Sequence, residues 1–207
     1  MSAFLQAGRP PLILASTSKI RARMLEAAGL AFIVEPPGLD EAVMRQAVSG
    51  EKSLEPHDIA EVLARAKAEA VSDLARKAYV IGADQVLEFR GEILSKPDSM
   101  EAVRRQLLDL NGKRHTLHTS VAVATDGETI WATTEIAMLT MLTLTPEFIG
   151  RYLAAVGEEV LSSVGAYQIE SVGIQLFDRI DGDYFVILGL PLIPLLAALR
   201  REGVIEG

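Results

Sequence analysis

Residues 12–30, LILASTSKIRARMLEAAGL, constrain the fold more than any other part of the chain. The run Leu12–Ala15 suits a covered strand, and Met24, Leu25 and Ala28 then recur at helical spacing until Gly29 offers a C-terminal stop. Any fold for this chain must therefore place a strand that passes directly into a helix at Ser16-Thr17-Ser18. The helix carries its charges at the wrong end. Lys19, Arg21 and Arg23 fall in or near the first turn, where free N–H groups already make the terminus positive and each exposed cation costs roughly 0.3–1 kcal/mol. Two readings are open. Either Ser18 is an ordinary N-cap and the cations sit in water, or the junction holds an anion. A phosphate there would meet oriented amides, hydroxyls and the side chains of Lys19 and Arg21.

The whole chain carries a net charge of -8, so these clustered cations stand out against an acidic background. That background excludes a general nucleic-acid surface, which needs a basic face to displace counterions. With 207 residues, 49% hydrophobic and 23% charged, the chain can bury a sizeable core as one large domain or two closely joined lobes. No window offers the roughly 20 apolar residues of a membrane span. The start, MSAFLQAGRPP, lacks the pattern of a signal peptide, and residues 1–11 are expected to be a flexible N-terminus. A soluble cytoplasmic protein is the expectation. Zero cysteines exclude disulfides, thiolate zinc sites and cysteine nucleophiles, and fit a reducing compartment.

Further along, residues 32–34 read as a strand, broken by Pro36-Pro37-Gly38 before the acidic pair Asp40-Glu41. A helix is expected over 57–77, with Ile59, Val62, Leu63, Ala66, Ala70 and Leu74 as its apolar stripe and Lys67 near its middle. Residues 79–83 form a strand that ends at Asp84, and a hairpin turns around Arg90-Gly91. A helix over 99–110 stops at Asn111-Gly112. Residues 114–125 and 129–144 are strands joined by the Asp126-Gly127 turn. Thr145-Pro146 opens a helix that Gly157 closes. Short strands at 174–177 and 184–188 and a helix over 191–202 complete the pattern.

Asp84 at a strand end is either a reactive group facing a crevice or a structural turn acceptor. Lys67 and Lys96, taken alone, read as solvated charges. The chain lacks the P-loop, dinucleotide, serine-hydrolase and zincin patterns, and its histidines show no metal-ligand spacing. His115 and His118 lie three apart on one strand and should face opposite sides.

Several segments occur in a telling order: S-T-S-x-x-R after LILA, Asp40-Glu41, ARAKAEAV around Lys67, IGADQV, a hairpin ending in SKP, GAYQIE, and GLPLIPLLAALRREG. Together, over residues 12–203, they resemble the Maf family of nucleoside triphosphate pyrophosphatases. The resemblance implies an elongated mixed α/β sheet flanked by helices, two lobes and a central cleft, related to inosine triphosphatase-like proteins. It implies cleavage of the α–β phosphoanhydride of a nucleoside triphosphate, giving a nucleoside monophosphate and pyrophosphate, with Mg²⁺ or Mn²⁺. By matching segments, Ser16, Ser18, Arg21, Lys67 and Lys96 are the expected phosphate contacts. Asp84 is the expected proton acceptor, with Asp84 and Glu41 as metal ligands.

Three positions depart from the commonest family pattern. Ile20 stands where many members carry the first of two arginines, Gln85 follows Asp84 where many have Thr, and Glu170 stands where many have Gln. These resemble the subgroup that hydrolyses 7-methyl-GTP. A carboxylate only accepts, so Glu170 suits the N1–H and amino donors of a guanine edge. Ile20 either packs against the base or belongs to the core. A pyrimidine (dTTP/UTP) activity and a non-catalytic nucleotide-binding regulator of cell division are the alternatives. The partner expected is the nucleotide, with no nucleic-acid polymer and no membrane, while an apolar C-terminal region permits a homodimer.

Overall fold

A computed structural model describes residues 6, 8–39, 43–44 and 54–207. The strand-to-helix unit is present as β1 (Leu12–Ala15) and α1 (Lys19–Ala27), and β2 (Ile33–Val34) follows. Next come α2 (Pro56–Ser72), β3 (Tyr79–Phe89), β4 (Glu92–Leu94) and α3 (Met100–Leu110). The long hairpin β5 (Arg114–Thr125) and β6 (Glu128–Met141) leads into α4 (Pro146–Val156). Two 3-10 turns (Gly157–Ser162 and Val172–Leu176), β7 (Phe177–Asp181), α5 (Tyr184–Ile187) and α6 (Leu192–Arg201) end the fold.

The seven strands form one mixed sheet in the order β2-β1-β3-β5-β6-β7, with β4 also on β3. Strand β3 organises it. One edge pairs with β5 from Val80 to Glu88. The other edge is shared: β1 runs parallel to its first part, as far as Ala15 opposite Gly82, and β4 runs antiparallel to its last part, from Leu94 opposite Leu87. Residues 83–86 thus have no strand partner on that edge among the described residues. Asp84 lies in this gap. The expected strand end at Asp84 is corrected: β5 continues the ladder past it, so the aspartate sits in mid-strand.

Odd-numbered residues of β3 and β5 face one side of the sheet and even-numbered ones the other, as the two-residue strand period requires. Ile81, Val121 and Val123 pack with Leu25, Leu195 and Leu199 of α1 and α6. On the same side, Leu87 and Leu117 pack with Leu107, Ile149 and Tyr167 in a second cluster under α3 and α4. Between the two clusters this side carries polar Gln85 and Thr119. Helix α2 covers the opposite side, where Ala64 and Ala68 meet Ala122 and Ala124.

The contact under α2 is close enough to demand glycine. A Cβ at Gly82 would lie 2.2 Å from the Ala64 carbonyl oxygen. This approach selects a helix face with small side chains, which corrects part of the expected stripe, Ile59 and Leu63 being buried as expected. Ala60, Ala64, Lys67 and Ala68 are buried, whereas Val62 is 40% and Leu74 86% exposed, the latter beyond the helix end at Ser72.

Two other expectations change. Residues 174–176 form a 3-10 turn, with β7 starting at Phe177. The expected strand at 184–188 is the helical turn α5, because the Asp183 carboxylate accepts from the N–H groups of Phe185 (2.8 Å) and Val186 (3.1 Å) and so satisfies a helix start. Both hairpin turns hold: Arg90-Gly91 and Asp126-Gly127 take positive φ at both positions, the conformation that matches strand twist. In the N-terminal segment, the Gln6 side chain pairs with the Ala31 backbone and Arg9 donates to the Gly203 carbonyl. No helix among the described residues is long and apolar enough to cross a membrane.

Candidate active site

The gap in the β3 edge opens into a cavity of about 950 Å³. Its lining includes Ser16, Ser18, Ile20, Arg21, Lys67, Asp84, Gln85, Lys96 and Glu170. Every expected site residue except Glu41 is therefore brought to one place. Glu41 lies outside the described residues, as does its neighbour Asp40.

At the corner where β1 ends, the N-cap reading of the first turn is realised. Ser18 caps α1, its hydroxyl accepting from the Arg21 N–H at 3.4 Å, while Ser16 accepts from the Ser18 N–H at 3.1 Å. The same turn faces the cavity. Arg21 has more work than a solvated cation. Its guanidinium donates to the Gly189 carbonyl (2.7 Å), to the Ala83 carbonyl (2.9 Å) and to the Ser16 hydroxyl (3.4 Å). The Ala83 carbonyl lies on the partnerless stretch of β3, so Arg21 supplies the hydrogen bond a neighbouring strand would have made. It also ties the α1 corner to the segment after α5.

Lys67 and Asp84 form the floor. The Lys67 ammonium lies 2.8 Å from an Asp84 carboxylate oxygen, and both side chains are only 4% exposed. The pair exists because α2 descends onto Gly82, which brings the middle of the helix within a lysine's reach of β3. Neither lysine nor aspartate is a solvated surface group or a turn acceptor. Lys96 reaches the cavity from the loop after β4.

Gln85 points to the other side of the sheet. Its amide nitrogen donates to Thr119 Oγ1 (2.9 Å) and to the carbonyls of Val186 and Ile187 (both 3.1 Å). Carbonyls only accept, so this network fixes the amide orientation and leaves the oxygen as the group Gln85 can offer a ligand.

The wall opposite the corner is built by residues 164–171. Tyr167 lines it, with its hydroxyl 2.7 Å from His115 Nε2. Burial lowers the His115 pKa to about 4 and pushes the Tyr167 hydroxyl far above its usual value. Burial, with the nearby negative charge of Glu170 adding to it, pushes the Tyr152 hydroxyl up to about 12. As expected, His115 and His118 face opposite sides, His118 lying 3.4 Å from Glu88.

Five cations (Lys19, Arg21, Arg23, Lys67, Lys96) line the cavity with four carboxylates (Asp84, Glu158, Glu159, Glu170). A quarter of the chain's 20 Lys and Arg residues thus converge on one concavity. This electrostatic arrangement suits a polyanion whose charge is met mainly at the α1 corner and by Lys96, since Lys67 is already paired with Asp84.

A family model described as Maf-like protein matches residues 11–202. The chain belongs to this Maf-like family. It is 50% identical to the 7-methyl-GTP pyrophosphatase of Brucella abortus over 95% of this chain and 98% of that protein. It is 45% identical to a nucleoside triphosphate pyrophosphatase of Caulobacter vibrioides over 94% of this chain and 97% of that one. Among solved structures, the nucleoside-triphosphatase / dITP/XTP pyrophosphatase of Mycobacterium abscessus matches 92% of this chain and 93% of that one, with 14% identity and a TM-score of 0.43. A likeness that distant carries no argument here.

In the Maf-like chain, sequence reasoning had not singled out Tyr167, Gly189, Glu158 and Glu159 as parts of the cavity. Two had a local signal: Tyr167 lies within GAYQIE, two residues after a glycine, and Gly189 opens GLPLIPLLAALRREG. Glu158 and Glu159 reach the cavity through the 3-10 turn that follows α4.

Proposed function

We propose that this chain is a nucleoside triphosphate pyrophosphatase that hydrolyses 7-methyl-GTP, or a related modified guanine nucleotide, to the monophosphate and pyrophosphate. The observation that carries this reading is the buried Lys67–Asp84 pair at the floor of a cavity whose rim is the cationic α1 corner. Phosphoryl-type transfer needs positioning and cations around the phosphate oxygens more than covalent help. Arg23, Lys19, Lys96 and the first turn of α1 provide that field, and Arg21 holds the turn in place. Asp84 orients the attacking water and accepts its proton as the water oxygen bonds to the α-phosphorus and the β-phosphate oxygen departs. Lys67 keeps the carboxylate in place.

A divalent cation, Mg²⁺ or Mn²⁺, fits this donor set. Mg²⁺ is commonly held through one or two carboxylates, with water and substrate oxygens in its remaining positions, and Asp84 is one such carboxylate at the cavity floor. Asp84 would hold it, with Glu41 as the second carboxylate implied by family resemblance. Bound there, such an ion supplies charge neutralisation on the phosphates.

Base selection rests on the far wall. Glu170 accepts only, and Gln85 has its amide nitrogen engaged within the protein, so both offer oxygen to a ligand. Two acceptors match the N1–H and amino donors of guanine better than the mixed edge of uracil or thymine. The name of the Brucella relative agrees with this choice. The Caulobacter relative, named without a base, supports a broader activity as the second reading. The lack of cysteine fits action on the cytoplasmic nucleotide pool.

The test is pyrophosphate release from 7-methyl-GTP, GTP, UTP and dTTP with Mg²⁺ or Mn²⁺. The expected order places 7-methyl-GTP first, and Asp84→Asn should lower its rate by about 10²–10⁴-fold while triphosphate binding persists. Equal rates across the panel would leave the reaction standing and remove the base assignment. Tight binding with no release from any triphosphate would instead favour a nucleotide-binding regulator.

A further inference from the structure

His115 lies outside the cavity, beneath the wall that carries Glu170. It is 2% exposed and surrounded by the apolar cluster under α3 and α4. Its Nε2 bonds the Tyr167 hydroxyl at 2.7 Å, and its Nδ1 is buried with no hydrogen-bond partner. An apolar side chain would suit this place better if filling space were the only task, because an unpaired buried ring nitrogen is costly. What the imidazole obtains in exchange is its bond to Tyr167.

Tyr167 is the anchor of the wall. Its ring lies against Gly165 so closely that a Cβ there would be 2.1 Å from the ring. The ring meets Phe177 edge-on, with centroids 4.8 Å apart. Between them Ala166 is forced to φ +57, a conformation that side-chain-bearing residues rarely adopt. Two further bonds pin the same stretch: Gln106 Nε2 donates to the Val164 carbonyl at 2.8 Å, and the Tyr152 hydroxyl to the Ala166 carbonyl at 3.5 Å. Buried Ile169 follows, and Glu170 comes next at the cavity. A strained turn stays in one conformation only when its surroundings over-determine it.

We infer that His115 is a positioning residue for base selection: through Tyr167 it holds the strained turn that sets where the Glu170 carboxylate stands. This rests on the 7-methyl-GTP reading and extends it to a side chain that touches no substrate. A carboxylate that recognises two donors on one base edge must be placed to a fraction of an ångström. Loss of the His115–Tyr167 bond lets the turn relax and disperses that placement.

The experiment measures kcat and KM for 7-methyl-GTP and UTP in the unmutated protein, His115→Phe, His115→Gln and Tyr167→Phe, with thermal unfolding of each. His115→Phe keeps the ring and removes the bond. Its preference for 7-methyl-GTP over UTP, as a ratio of kcat/KM, should fall about fivefold, with the loss in KM for 7-methyl-GTP, because a base contact is uniform binding. Tyr167→Phe removes the same bond and should show the same loss. It also serves should His115→Phe not fold. His115→Gln, which can still reach the hydroxyl with its amide, should recover part of the preference. An unchanged ratio in folded His115→Phe or Tyr167→Phe, whatever the change in unfolding temperature, overturns the inference alone. Failure of the unmutated protein to hydrolyse 7-methyl-GTP overturns the substrate reading and takes this inference with it.

Discussion

The two walls of the cavity are built in opposite ways. The corner around Ser16, Ser18 and Arg21 is held first by neighbours: Ser16 accepts from Ser18, Ser18 accepts from Arg21, and Arg21 returns to Ser16, all within six residues of chain, while Arg21 also donates to the remote Ala83 and Gly189 carbonyls. The wall at 164–170 has short-range backbone bonds, from the Ala166 N–H to the Ser163 carbonyl and from the Ser171 N–H to the Gln168 carbonyl, but its side-chain anchors come from elsewhere: Tyr152, Gln106, 58 residues before Val164, and His115, 52 residues before Tyr167. The hydroxyl bonds of the first wall need only β1 and α1, with Arg21 completed by β3 and the segment after α5, whereas the anchors of the second come from α3, β5 and α4. A local corner can bind phosphate, which every triphosphate shares, while a wall assembled from afar can be adjusted for the base.

The floor common to both walls should be the most sensitive point. Lys67→Met strips the buried Asp84 of the cation 2.8 Å away, and is expected to lower stability by about 3–5 kcal/mol, read by urea unfolding. A cost below about 1 kcal/mol would mean that the floor is open to water and that the walls do not share it.

Acid should loosen the far wall more than the corner. His115 titrates at about 4 in the folded protein against 6.5 in the unfolded chain, so the unfolded chain takes up its proton first. The associated stability is complete above pH 6.5 and is lost as the pH falls from about 6.5 to about 4, a total of roughly 3 kcal/mol. His118, also lowered mainly by burial, adds a loss in the same direction. The difference between the unmutated protein and His115→Phe isolates the wall: the variant should show a flatter decline across that window. Parallel declines would show that His115 is not held neutral.

The smallest effect belongs to the corner. Ser18→Ala removes one cap bond and should cost about 1 kcal/mol, seen as a small drop in unfolding temperature. A larger rise in KM, equal for 7-methyl-GTP and UTP, would confirm that this wall meets phosphate and ignores the base.

Legibility in the sequence followed the same division. Ser16, Ser18, Arg21 and the helix stop at Gly29 could be read because caps, turns and helical spacing act over a few residues. The same holds for the hairpin turns at Arg90-Gly91 and Asp126-Gly127. Errors arose where a remote neighbour decided. Asp84 reads as a strand end because the apolar run stops there, yet β5 carries the ladder beyond it. Part of the α2 stripe is misread, Ile59 and Leu63 being buried as expected and Val62 exposed, because Gly82, on another element, brings the alanine face of the helix onto the sheet. One error is local: residues 184–188 are rich in apolar residues and read as strand, but the adjacent Asp183 supplies a helix cap that outweighs that preference.

By itself the amino-acid sequence determined the order of the elements, the cationic helix start and the kinds of polar side chain available, because these depend on short-range sterics, hydrogen bonding and charge. Only the tertiary structure decided that Lys67 is the buried partner of Asp84, that Arg21 completes the open edge of β3, and that His115 supports the turn before Glu170. Each of these contacts joins residues at least 17 positions apart. Such contacts form only where packing has already offset the loss of chain entropy, and no local rule specifies which distant group will be there.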